Sequence, residues 1–268
     1  MSRAYDIVKT EQDLSYLAWD EHDSPSGLLG SRLKAREGIG ANAVFYKQSH
    51  TGKLGFEQRD LLAELICSRV MDYLGIEHVP LQLVRAKLEE NAKPCWVIKS
   101  KSYRATNERG ISLADFYDLR GESDNSPLDL CKRMGWSKYV ADVALSDFLT
   151  ATRSRDASCF EVLSDSEGNL RLSPCMPRAY SLANAFPGQT WRMFAVADIS
   201  TENYLGASSL EKNLELVPPD VVLPPLNSGV RKRLFAGLQG CRADQTFFDA
   251  CWHILEGRWA CFEKLRHL

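Results

Sequence analysis

Apolar residues recur every three to four positions over residues 56–74, where Leu61, Leu62, Leu65, Ile66, Val70 and Leu74 share one helical face and Gly75 supplies a stop. Two runs rich in β-branched residues follow, at 79–88 and 94–102, separated by a polar turn at 89–94, and they predict a pair of strands. Upstream, residues 10–19 predict a short helix and 20–27 a turn. Residues 27–48 predict strand, loop, strand, punctuated by Gly27, Gly30, Gly38 and Gly40, with the last strand alternating up to Lys47.

The second half has a different texture. Residues 104–127 are polar and turn-rich and predict a crossover with an exposed loop at 121–127. Helices are predicted over 128–134 and 137–152; in the second, Val140, Val143, Ala144, Asp147 and Phe148 trace one face. A hairpin follows, with strands at 160–163 and 170–174 around an Asp/Ser/Gly/Asn turn. Beyond Leu182 the chain is loop-rich to about residue 198, and 218–227 holds too many prolines for a helix or a central strand. A short helix lies within 229–240, and a long amphipathic one covers 243–268. Its stripe of Phe247, Phe248, Cys251, Trp252, Leu255, Trp259, Phe262 and Leu265 reads as core rather than as a partner groove.

Bulk properties narrow the function. The chain has 268 residues, 44% hydrophobic and 25% charged, enough for one bilobed domain or two small ones. A net charge of −2 argues against direct nucleic-acid binding. No apolar run is long enough to span a membrane, and the polar first residues do not read as a signal peptide, so a cytoplasmic protein is expected. The eight cysteines include no C-x-x-C pair, which favours buried thiols in a reducing compartment over zinc ligands. The five histidines are too far apart in sequence to suggest a ligand set.

The segment with chemistry to read is 145–182, LSDFLTATRSRDASCFEVLSDSEGNLRLSPCMPRAYSL. It resembles the catalytic segment of HipA-like kinases, including their compact CtkA-like members. There the pattern runs D-[YF]-L-x-x-N-x-D-R-H-x-x-N-[FW]-x-V-L, a turn, then L-x-P-x-[FY]-D-x-G-x-S-L. Asp147, Phe148, Leu149, Arg155, Phe160, Val162, Leu163, Leu172, Pro174, Ser181 and Leu182 fall on pattern positions without a gap. The chemistry-bearing positions depart from it. Ser154 stands where the family has its catalytic Asp, Cys159 where it has a metal-binding Asn, and Pro177 where it has a metal-binding Asp. Phosphoryl transfer relies on such groups to orient the nucleophile and hold Mg2+, and Mg2+ demands hard oxygen ligands. Asp156, at the family's His position, is the candidate for a relocated catalytic carboxylate.

The resemblance implies an α+β, bilobed kinase-like fold. The small lobe, 1–103, would be an antiparallel sheet plus one helix, and the large lobe, 104–268, mainly helical. It implies that residues 30–34 form a phosphate-facing loop through Gly30, Ser31 and Lys34, that Lys47 meets the nucleotide phosphates, and that Glu64 pairs with Lys47. Residues 96–102, including Ile98 and Ser100, would be the hinge strand beside an adenine edge. On composition alone, Lys47 and Glu64 are equally well a strand-end cation and a helix-face carboxylate. Asp147 reads equally as a helix-terminal charge. Arg155 and Arg178 could neutralise phosphate in place of a metal; alternatively, Arg155 makes a structural salt bridge and Arg178 is exposed. The implied cofactor is ATP or another nucleotide, without metal, and the implied partner is a protein. The resemblance supports three functions: a pseudokinase that acts by binding, an atypical kinase using Asp156, and an antitoxin-like regulatory subunit of a bacterial toxin–antitoxin system.

Overall fold

The computed structural model describes residues 6–20, 33–49, 58–120, 125–186, 191–241 and 245–266. The first half of the chain forms β1 (Ile7–Asp13), β2 (Lys34–Glu37), β3 (Val44–Gln48), α1 (Arg59–Leu74), β4 (Leu81–Lys87) and β5 (Cys95–Lys101). The strands make one five-stranded sheet in the order β1-β4-β5-β3-β2. Four of them pair antiparallel, as expected. The fifth, β1, adds to the edge of β4 in parallel.

That edge strand corrects the helix expected at 10–19. Without β1, β4 would present a row of unpaired backbone groups. The main chain of β1 covers them, the amide of Leu83 donating to the Asp6 carbonyl at 2.7 Å and that of Leu14 to Lys87 at 2.9 Å. Ile7, Val8 and Thr10 are β-branched and suit a strand. Leu14 then packs with Tyr46, Val84, Ala86 and Val97 on the outer face of the sheet.

Register sorts the two faces. Lys34, Lys47, Ile98 and Leu83 lie directly across from one another, so they share a face, as do Phe45, Ser100 and Leu81 in the next row. Helix α1 packs on this inner face. It ends at Gly75, whose φ of 71° lets its amide turn back to the Asp72 and Met71 carbonyls. The helix is apolar almost all round because it is covered on both sides: Leu61, Leu65 and Ile66 join Leu83 and Ile98 of the sheet to Phe148, Leu255 and Phe262 of the second half in one core cluster.

The second half runs β6 (Arg109–Ser112), α2 (Leu113–Arg120), α3 (Pro127–Arg133), α4 (Ser137–Thr150), β7 (Ser154–Arg155), β8 (Glu161–Ser164), β9 (Leu170–Leu172), α5 (Trp191–Phe194), β10 (Glu202–Asn203), α6 (Leu210–Asn213), α7 (Ser228–Leu234) and α8 (Gln245–Arg266). The predicted hairpin is β8–β9, and β6 extends it to three strands. Strand β6 and helix α2 occupy a stretch expected to be crossover. They are too short to produce a visible period, and burial of Leu113 and Phe116 against Leu130 and Phe160 holds them. Helix α8 buries its expected stripe apart from Leu265, which is 41% exposed. None of the eight cysteines forms a disulfide, and most of them are buried. Among the described residues no helix is long and apolar enough to cross a membrane.

Because α1 contributes to a core shared by both halves, Leu65→Ala should lower the stability of the whole molecule by about 2–5 kcal/mol. Far-UV circular dichroism and tryptophan fluorescence should report one coincident transition; two separated transitions would show that the halves unfold independently.

Candidate functional site

Lys47 reaches from β3 to Glu64 on α1, and the two form an ion pair. Glu64 is buried, while the Lys47 side chain keeps 24% of its exposure, so the pair borders solvent. The pair that the resemblance implied forms because Lys47 and α1 share the inner face of the sheet. Asp60, one helical turn before Glu64, accepts from Ser49 Oγ at 2.7 Å and ties the end of β3 to the start of the helix.

Lys34, Ile98 and Ser100 differ from expectation. Gly30 and Ser31 lie outside the described residues. Lys34 opens β2 instead of sitting in a loop, directly across from Lys47. Two cations therefore stand side by side on the inner face. Ile98 and Ser100 share that face, but β5 is central in the sheet and its main chain is engaged by β3 and β4. A backbone edge for adenine is thus not available at 98–100. The chain leaves the sheet at residues 102–104, and there the Tyr103 carbonyl accepts from Arg171 Nη2 at 2.9 Å.

The loop after α4 is built around one buried ion pair. Arg155 Nε donates to Asp147 Oδ2 at 2.9 Å and Nη2 to Oδ1 at 2.5 Å, and Nη1 donates to the Met176 carbonyl at 2.8 Å. Both side chains are at most 3% exposed. Burial disfavours the Arg155 charge, but the Asp147 carboxylate reverses this and holds the guanidinium firmly protonated. Arg155 is therefore a structural tie between the end of α4 and the segment after β9, and each of its three nitrogens already has an acceptor. Of the two readings of Arg155 this favours the structural salt bridge over the phosphate ligand, and Asp147, near the end of α4, is its buried partner.

The positions that depart from the family pattern lie around this tie. Ser154 Oγ donates to Glu202 Oε2 at 3.1 Å, and β7 pairs in parallel with β10. Sequence reasoning missed Glu202; it is 48 residues away and no spacing links it to Ser154. Asp156 caps the 3-10 turn at 157–159, accepting from the Ser158 amide at 2.8 Å, from Ser158 Oγ, and from Cys159 Sγ at 3.7 Å. Burial raises its pKa, but the Ser158 hydrogen bonds and nearby Arg178 outweigh that and leave it below the ordinary carboxylate range. Cys159 is buried, which pushes its thiol pKa up, and Pro177 is buried too. Arg178 is half-buried beside Asp156.

Mg2+ requires several hard oxygen donors. Here the three relevant positions offer a hydroxyl, a protonated thiol and no side-chain donor. Among the described residues no group of three or more His, Cys, Asp or Glu is placed to hold a metal ion. Ser154, Cys159 and Pro177 do not supply the hard oxygen donors that Mg2+ needs.

A second polar network, also missed from sequence, pins the linker between the halves. Glu161 on β8 accepts from Tyr103 Oη at 2.6 Å and pairs with Arg104. Arg171 forks onto Glu108 at 2.7 Å to each oxygen. Gly110 leaves room for this, since a Cβ there would lie 2.2 Å from Glu161 Oε1.

No family model matches the chain, and no curated protein does. The fold is similar to the crystal structure of the proinflammatory kinase CtkA of Helicobacter pylori, with a TM-score of 0.62 at 9% identity, over 95% of this chain and 96% of that one. The molecule is thus an α+β protein with a CtkA-like kinase fold.

Removing either partner of the Arg155–Asp147 pair strands a buried charge. Arg155→Met and Asp147→Ala should each cost about 3–5 kcal/mol in denaturant melts, with the double variant less destabilised than the sum. Asp156 predicts an acid effect. Its pKa in the folded protein lies below the ordinary 3.8, so its stabilisation is present above that value and is lost as pH falls through the lower folded-state value. Between about pH 5 and pH 2 the wild type should therefore lose more stability than Asp156→Asn, which keeps the cap; parallel curves would contradict this.

Proposed function

We propose that this chain is a HipA-like pseudokinase: a kinase-fold protein whose cleft binds a nucleotide or a protein instead of transferring phosphate. The observation that carries this reading is a mismatch between two sets of residues that a kinase would use together. The Lys47–Glu64 pair, which in this fold would meet a nucleotide's phosphates, is assembled. The loop that would supply a base and hold the metal carries Ser154, Cys159 and Pro177, with Arg155 spent on Asp147. Positioning and charge neutralisation are nearly all that a protein contributes to phosphoryl transfer. Groups that act as a unit also fail as a unit.

In this reading Lys47, with Lys34 beside it, supplies positive charge to a nucleotide's phosphates, and Arg178 is a further cation near the loop. A metal is not required to bring the ligand in. The active-kinase alternative rests on Asp156, which stays ionised next to Arg178. Its carboxylate is weakly basic and occupied by the cap, and that favours the binding role.

With labelled ATP and Mg2+, no phosphate should be transferred to the chain itself or to generic protein substrates. Transfer that disappears in Lys47→Ala would overturn the pseudokinase reading. Asp156→Ala would then test the relocated base, since an unchanged rate would eliminate it.

A further inference from the structure

Strands β2 and β3 bring Lys34, Arg36 and Lys47 to one face of the sheet. Lys34 and Lys47 lie directly opposite each other, and Arg36 lies opposite Phe45. Residues two apart on a strand share a face, so Arg36 stands beside Lys34 on the face that carries Lys47. The next residue, Glu37, points to the opposite face, where Tyr16 Oη and Tyr46 Oη donate to its two oxygens at 2.5 and 3.0 Å.

The register also sets how close these cations are. The amide of Gln48 donates to the Leu33 carbonyl at 2.9 Å, while the amide and carbonyl of Lys34 turn the other way, to Asp20, at 2.7 and 2.8 Å. Lys34 and Lys47 are therefore a non-hydrogen-bonded pair, the closer of the two kinds, with Cβ atoms about 4.5–5.5 Å apart. Arg36 is the diagonal neighbour of Lys47, about 7–8 Å away. Like charges set directly across from one another destabilise a strand pair, and an anion spanning them offsets this. Glu64 pairs with Lys47. Strand β2 is only four residues long and lies at the edge of the sheet, yet it sets Lys34 and Arg36 beside that pair. Arg36 is exposed and both lysines are half-buried, so solvent reaches all three.

We propose that Arg36 is a phosphate-binding residue, which with Lys34 and Lys47 forms a site for a linear triphosphate without metal. This rests on the reading of Lys47 as a phosphate-binding cation and adds what the site selects. Long arms spaced along two strands suit a chain of phosphates rather than a single one, and the planar fork of Arg36 can hold two oxygens at once. Affinity then follows the number of phosphates. A nucleoside triphosphate and inorganic tripolyphosphate share this chemistry.

Calorimetric titration of the whole chain in excess EDTA tests this, with ATP, ADP, AMP and inorganic tripolyphosphate. ATP should bind about tenfold or more tightly than AMP, with ADP between them, and tripolyphosphate should bind as well. Arg36→Met should weaken ATP about tenfold while changing AMP by less than about threefold, and Arg36→Lys should recover most of the loss. Tighter binding of ATP than of tripolyphosphate assigns the site to a nucleotide, and the reverse to inorganic polyphosphate. If Arg36→Met binds ATP as the wild type does while Lys47→Ala does not, the inference is overturned and the nucleotide reading stands. Equal wild-type affinities for ATP and AMP would have the same consequence, and that comparison decides should Arg36→Met not fold. A wild-type protein that binds no ATP would overturn both.

Discussion

Arg155 reaches back to Asp147 with both arms of its guanidinium, and much of the second half is arranged around that contact. Two charges this deeply buried are tolerated only when paired and fully hydrogen-bonded, and the Met176 carbonyl completes the set. The pair joins the end of α4 to the segment after β9. It thereby fixes the loop between them, the place where a kinase fold would keep its base and metal ligands. With the loop held, β7 can pair with β10 and Asp156 can cap its short turn. Ser154, Arg155 and Asp156 in this loop are each engaged in contacts within the chain.

Helix α1 plays the matching part in the first half. It is covered by the sheet on one side and by α4 and α8 on the other, so it orients Glu64 towards Lys47 while anchoring the sheet to the rest of the molecule. The linker adds a second constraint. Tyr103 and Arg104 converge on Glu161, and Arg171 holds both Glu108 and the Tyr103 carbonyl. Burial and the Glu161 carboxylate push the Tyr103 pKa up, so its hydroxyl remains a donor.

Much of this was legible in the sequence where periodicity or spacing is local. Helix α1, strands β4 and β5, the β8–β9 hairpin and the stripe of α8 each follow from a run long enough to show its period. The Lys47–Glu64 pair was legible only through the family resemblance, since a Lys and a Glu at this spacing are common in any strand–helix unit. What escaped was set by tertiary partners. Strand β1 takes its conformation from the edge it covers, although its composition allowed a helix. Lys34 was expected in a loop and is instead held in β2 by pairing with β3. Ile98 and Ser100 were placed on the correct strand, but only the sheet order shows that this strand is central and its backbone spent. Glu202 beside Ser154 and Tyr103 beside Glu161 join residues dozens of positions apart, which no single sequence reveals.

The proposed function holds that Lys47 and Lys34 receive a nucleotide's phosphates without help from a metal. It is tested most directly by titrating ATP into the wild-type protein in a calorimeter, once with excess EDTA and once with excess Mg2+. The account predicts weak binding of similar affinity in both, reduced in Lys47→Ala. Binding that appears only with Mg2+ would contradict it, because a metal site would then survive among residues that here show no set of ligands for one.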